Sequence, residues 1–179
     1  MDMLRPVQAI ALLPGMATIV IPGVIISSTG AVNPGWSLPS PLNGIPLMAG
    51  GFLIGAGLIL MIKTITLFTT VGKGTLAPWT PTRKLVLRGA YRHVRNPMIS
   101  GVFCVLLGEA AFFGSLPLLY WSLAFVLVNA IYIPLFEEPG LQKRFGEAYA
   151  QYKKNVPRWV PRFRPWDVTD EDQAGQGGT

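Results

Sequence analysis

Four apolar runs organise the chain, and the polar segments between them differ sharply in charge. Residues 7–26 are predominantly apolar and broken by Pro14, Gly15, Thr18, Pro22 and Gly23. That is about the ~20 residues a helix needs to cross a bilayer. The stretch is too long for the apolar core of a secretory signal peptide, and no A-x-A cleavage site follows. It predicts a first transmembrane helix, bent near its prolines. Residues 45–71 form the second run, in which Gly50, Gly51, Gly55 and Gly57 let another helix approach closely. Gly51 and Gly55 make a G-x-x-x-G pair. Residues 98–113 and 118–136, joined by the uncharged turn Gly114-Ser115-Leu116-Pro117, predict a helical hairpin.

The connections carry the polar character. Residues 27–44 are rich in Gly, Pro, Ser and Asn and read as an irregular loop, with Trp36 suited to the headgroup level. Residues 72–97 are basic; Pro78 and Pro81 predict irregular backbone, residues 84–87 a short extended piece and Gly89 a turn. Beyond 136, Glu137-Glu138 end the last apolar run and Pro139-Gly140 predict the end of its helix. Leu141, Phe145, Ala148, Tyr149 and Tyr152 then recur at spacings of three and four, one face of an amphipathic helix suited to a membrane surface. Residues 156–166, V-P-R-W-V-P-R-F-R-P-W, read as extended and proline-pinned. The acidic, glycine-rich segment 167–179 reads as disordered.

Half the residues are hydrophobic and only 13% are charged, about half the usual charged share. This composition turns the formal charge of +6 away from nucleic acid and towards the positive-inside rule. Thirteen of the fifteen Lys and Arg lie in 72–97 and 139–166, and none in 27–44 or 114–117. Four helices with both termini and both basic segments in the cytoplasm satisfy that distribution, and bring the two basic segments to one side. The one cysteine, Cys104, reads as a small buried hydrophobe. Lys63 reads as snorkelling to the interface, and Glu109 as facing the bundle interior with a hydrogen-bond partner.

The chain has no phosphate-binding glycine loop, no H-E-x-x-H and no C-x-x-C. His93, the only histidine, has no partners for a metal set, so no metal is expected and the ring reads as an interfacial aromatic. What remains is Arg88, Arg92 and Arg95 together with the pair Glu137-Glu138. An Arg forks onto a carboxylate and a Glu receives an ammonium, which suits an amino acid headgroup. The same arginines also suit contact with lipid phosphates.

The motifs R-G-A-Y-R-H-V-R-N-P-M, a helical hairpin, E-E-P-x-L-x-x-R-F-G-x-x-Y-x-x-Y and V-P-R-W-V-P-R follow one another in that order. Over residues 76–162 the chain resembles the isoprenylcysteine carboxyl methyltransferase family, within the wider group of membrane methyltransferases that includes phospholipid N-methyltransferases. The resemblance implies S-adenosyl-L-methionine as cofactor, in a cytosol-facing pocket over the helix bundle. It implies cofactor contacts at Arg83, Lys84, Leu85, Val86, Tyr91, Asn96 and Glu137. The charge pattern adds Arg95 and Tyr149 to the cofactor set, and Arg158 and Glu138 as catalytic candidates. Two positions depart from the eukaryotic members. Asn96 stands where they carry His, so a proton-transfer role is lost there. Ile133 stands where they carry an Arg tied to the substrate.

The expectation is an all-α integral-membrane bundle of about four transmembrane helices. Residues 1–71 form an N-terminal hairpin, 72–166 the catalytic region and 167–179 a tail. Its expected activity is methyl transfer to a lipophilic or small carboxylate or thiol acceptor. An amine or phospholipid acceptor is the alternative within the class, and a non-catalytic transporter or assembly factor the alternative outside it. A methyl leaving a sulfonium for an anion reduces charge in the transition state, so a water-poor site favours the step.

Overall fold

A computed structural model of the protein describes residues 13–70 and 85–167. Among the described residues the chain is helical, with no β-strand. The helices are α1 (Leu13–Thr29), α2 (Gly44–Thr70), α3 (Pro97–Phe113), α4 (Leu116–Tyr132) and α5 (Glu138–Asn155). Two helical stretches, Gly44–Leu67 and the run beginning at Leu116, are long and apolar enough to cross a membrane. Leu13–Thr29 and Pro97–Phe113 are apolar but shorter. Seventeen residues, the length of α3, rise about 25 Å against the ~30 Å hydrocarbon core. The described residues form two compact units.

The apolar unit comprises 13–62 and 98–129. Here α2 and α3 run antiparallel and touch backbone to backbone. A Cβ at Gly50 would sit 2.7 Å from the Gly108 carbonyl oxygen, and one at Gly57 would sit 2.6 Å from that of Gly101. The paired glycines are seven residues apart on each helix, two turns, so the close contact follows one long stripe. Gly51 and Gly55, the G-x-x-x-G pair, have nothing within 4 Å of a built Cβ. The glycines that bring helices together are therefore the heptad-spaced ones. Met61, Val102, Val105 and Leu106 form the core beside this contact, with Ala17, Trp121 and Phe125 packed against it.

In α1 the prolines act through a π-helical stretch, Met16–Val20. In that register the carbonyl of Ala17 would pair with the N–H of residue 22, and Pro22 has none. The Trp121 indole donates to that carbonyl at 3.0 Å instead. Gly30 closes the helix in the left-handed region, φ 61°, its N–H reaching the Ile26 carbonyl. The loop that follows satisfies the end of α3. The Asn33 N–H donates to the Phe113 carbonyl at 2.8 Å, and the Trp36 indole to the Ala111 carbonyl at 3.0 Å. Those carbonyls have no partner within their own helix. Trp36 is thus a helix cap. Glu109 departs from expectation, because its Oε2 is buried without a hydrogen-bond partner among the described residues.

The polar unit comprises 63–70, 85–97 and 130–167. Helix does not stop at Pro139-Gly140, as the sequence predicts. A π-helical stretch, Ile133–Glu137, leads directly into α5, with Pro139 in its first turn, where a missing N–H costs nothing. Both π stretches end two residues before a proline, at Val20 and at Glu137. Their wider turn accommodates the ring that an α-helical interior rejects. The break in α5 comes at Gly146, φ 53° and ψ −128°. Four of the five side chains expected on one face of this helix, Leu141, Phe145, Tyr149 and Tyr152, pack into the unit's own core. Leu87, Tyr149, Tyr152 and Val156 are buried together, with Leu85, Leu141, Phe145 and Trp166 against them.

Candidate functional site

The segment 88–97 is a compact turn in the polar unit. Arg88 is extended, Gly89 adopts φ 56°, and Gly89–Arg92 make one 3-10 turn before Pro97 opens α3. Only a residue tolerant of positive φ fits at 89. Tyr91 points inward and is buried, and its carbonyl accepts the Tyr152 hydroxyl at 2.8 Å.

A strap, residues 157–167, runs antiparallel across this turn. The Arg95 N–H donates to the Pro157 carbonyl at 2.9 Å, the Arg162 N–H to that of His93 at 3.0 Å and the Trp166 N–H to that of Arg92 at 2.9 Å. Side chains add to the ladder. His93 Nδ1 lies 2.7 Å from the Arg162 carbonyl oxygen. Arg92 donates through Nε to the Trp166 carbonyl at 2.6 Å and through a terminal nitrogen to Asp167 at 2.6 Å. His93, expected as an interfacial aromatic, serves here as a tie between turn and strap.

The turn, α5 and the strap converge on Glu138, whose side chain is 3% exposed. Its Oε1 accepts from Arg95 at 2.6 Å and from Arg158 Nε at 2.7 Å. Its Oε2 accepts from the second arm of Arg158 at 3.0 Å and from Lys153 Nζ at 2.9 Å. Burial opposes ionisation, but the hydrogen bonds of Arg158 and Lys153 and the charge of Arg95 outweigh it and hold the carboxyl below its usual range. The Arg158 guanidinium is correspondingly held more firmly protonated by Glu138.

Glu137 is in the opposite condition, although it is the adjacent residue and lies, like Glu138, past the last apolar residue of the α4 run, Phe136. No side chain among the described residues pairs with it. Its surface is open to solvent, yet surrounding atoms, and then the charge of Glu138, push its carboxyl pKa up. Glu137 in turn acts on two phenols. Burial, then the charges of Tyr152 and Glu137, raise Tyr91 well above its usual value. Burial and the Glu138 charge push Tyr149 up to about 12, against the pull of Arg95.

The structure therefore brings together Tyr91, Arg95, Glu137, Glu138, Tyr149 and Arg158 of the expected set. Val86 is buried and Leu85 packs on the tyrosine cluster. Asn96 is half-buried at the end of the turn. Arg83 and Lys84 lie outside the described residues. Sequence reasoning missed Lys153, because nothing in a surface lysine of a helix marks it as facing a carboxylate fifteen residues back. It also missed Arg92 and Trp166 as strap ties. No group of three His, Cys, Asp or Glu suited to a metal occurs among the described residues.

The family model of phospholipid methyltransferases matches residues 45–148, more than half of the chain. The match contains the 88–97 turn and both glutamates, and stops before Lys153, Arg158 and the strap. No curated protein and no solved structure matches the chain.

Proposed function

The chain belongs to the phospholipid methyltransferase family, and on that premise we propose that it is an S-adenosyl-L-methionine-dependent membrane methyltransferase whose cofactor site is the polar unit. The observation that carries this reading is the division of labour between adjacent glutamates. Glu138 is saturated by three cations, while Glu137 is solvent-open, has no paired side chain among the described residues, and acts by its charge on Tyr91 and Tyr149. An open carboxylate so placed fits the ammonium of the cofactor's amino acid moiety. Leu85 and Val86 supply an apolar wall, and Tyr91 and Asn96 the polar edges. Arg95 and Arg158, each paired with Glu138, tie the turn and the strap to α5 beside Glu137. The resemblance adds Arg83 and Lys84 as cofactor contacts in this proposal.

When bound, the cofactor supplies an electrophilic methyl group. The residues of this chain bind it, exclude water and align the acceptor, which is most of what such a transfer requires. The phenols of Tyr91, Tyr149 and Tyr152 are all pushed upward and do not serve as bases near neutral pH. This supports an acceptor that reacts as an anion, a lipophilic or small carboxylate or thiolate. The matched family supports a second reading, a phospholipid amine, which must lose a proton before attack. Ile133 is 1% exposed and packs into the fold, which leaves a prenylcysteine substrate without the Arg it meets in the eukaryotic members. Four membrane spans with the polar unit in the cytoplasm complete the proposal.

Calorimetric titration of S-adenosyl-L-methionine into detergent-purified protein tests the cofactor site. Glu137→Gln weakens binding by ~1–3 kcal/mol, the worth of a charge-assisted hydrogen bond. Unchanged affinity in folded protein removes Glu137 from the site. No binding by the parent chain at millimolar cofactor favours a non-catalytic role instead.

A further inference from the structure

The strap does more than close the turn: it holds two apolar side chains outward. Phe163 is fully exposed and Val160 largely so. Their neighbours explain why neither folds back. Prolines at 157, 161 and 165 restrict the strap backbone. On one side of Phe163 the Arg162 N–H and carbonyl are tied to His93, and its side chain to the Asn155 carbonyl at 2.5 Å. Beyond it, Trp166 is tied to Arg92 and packs at 5.9 Å on Tyr152. The buried cluster of the unit thus takes Val156 and Trp166 from this segment and leaves out Val160 and Phe163. Arg164, next to Phe163, is exposed and forms no ion pair among the described residues. Residues 85–97 and 130–167 together carry ten Lys and Arg against four Asp and Glu.

We propose that residues 160–164 are an interfacial anchor, with Val160 and Phe163 entering the apolar edge of an anionic lipid leaflet while Arg164 meets its phosphates. The occupant follows from charge and shape. A small apolar tip flanked by a free arginine on a strongly basic unit complements a negatively charged lipid surface. An acidic soluble partner would match the charge but leaves the outward phenylalanine unexplained unless it also offers an apolar pocket. The anchor lies outside the residues that match the methyltransferase model, and it stands independently of methyl transfer. Its consequence for the site is direct, because the same strap carries Arg158 to Glu138.

The test uses the full-length chain with Cys104→Ala, which removes its one cysteine, reconstituted in lipid nanodiscs. Spin labels are attached at Phe163→Cys and, as a membrane control, at Phe52→Cys on the outward side of α2. Collision rates with oxygen and with a water-soluble nickel chelate report depth. In phosphatidylglycerol nanodiscs the label at 163 favours oxygen, as the label at 52 does. In phosphatidylcholine nanodiscs the inserted population at 163 falls by about fivefold, the share of one Arg at an anionic surface. A label at 163 open to the chelate, with 52 in lipid, overturns the anchor and leaves the membrane reading intact. Protection of 163 from both reagents means a protein covers it, and overturns the anchor too. Equal insertion in both lipids overturns the anionic assignment.

Discussion

Glu138→Gln isolates the electrostatics of the cationic hub. The substitution preserves shape but leaves Arg95, Arg158 and Lys153 around a neutral amide. Their side chains are 10%, 26% and 49% exposed respectively. Removing one partner from a buried pair costs ~3–5 kcal/mol, chiefly because the remaining charge stays desolvated. Arg95 and Arg158 fall under that rule. Lys153, half in water, contributes no more than ~1 kcal/mol. A loss of ~3–5 kcal/mol lowers the thermal midpoint of a chain this size by on the order of 10 °C. A thiol-reactive dye that reports exposure of the lone Cys104 on heating measures it. Lys153→Met, measured alongside, moves the midpoint by only a few degrees. A Glu138→Gln midpoint within about 2 °C of the parent, or one matched by Lys153→Met, refutes the buried-hub account. The pH dependence has a definite sign. The folded carboxyl of Glu138 is held below its ordinary value. Its contribution is therefore complete above the ordinary carboxylate pKa of about 4 and disappears as pH falls through the folded value. Below about pH 4 the parent loses stability faster than Glu138→Gln does.

Other consequences are equally direct. Gly57→Ala drives a Cβ against the Gly101 carbonyl at 2.6 Å and lowers the thermal midpoint by the equivalent of ~1–3 kcal/mol, whereas Gly55→Ala, with open space around it, does not lower it. Trp121→Phe removes the donor to the Ala17 carbonyl and costs ~1–3 kcal/mol, measured in the same assay, because the carbonyl is left unpaired. Cysteine labelling of inverted and right-side-out vesicles tests the topology. Ser40→Cys reacts only from the outer face and Lys154→Cys only from the cytoplasmic face; reaction of both from one side contradicts four spans.

Hydropathy alone locates all four apolar helices; the described ends of the first three differ from it by only a few residues, while the fourth runs on past its expected end into α5. α2, for example, spans Gly44–Thr70 where the pattern predicts 45–71. The pairing of the basic turn with the glutamates is also legible, because unbalanced charge beside apolar runs has few places to go. Register is not legible. Four glycines on α2 look equivalent in sequence, and only the partner helix distinguishes Gly50 and Gly57 from Gly51 and Gly55. The continuation through Pro139-Gly140 is hidden for a related reason. A proline ends a helix or begins one according to the turn before it, and the π-helical stretch decides that locally. Neighbouring glutamates likewise share a motif but not a fate. Which one the cations claim depends on where α5 and the strap bring Lys153 and Arg158.

The pairings at Glu138 bridge 43 residues back to Arg95 and 20 forward to Arg158. During synthesis the hub therefore has no complete form until the ribosome has passed residue 158. Until then Arg95 has been made with no carboxylate to meet, and Glu138, once made, lacks its bidentate partner. The apolar helices are made earlier, but the hub around Glu138 waits for the strap that carries Arg158. Assembly is thus ordered, with the helices first and the cationic hub last, and a chain truncated before residue 158 has its helices without that hub.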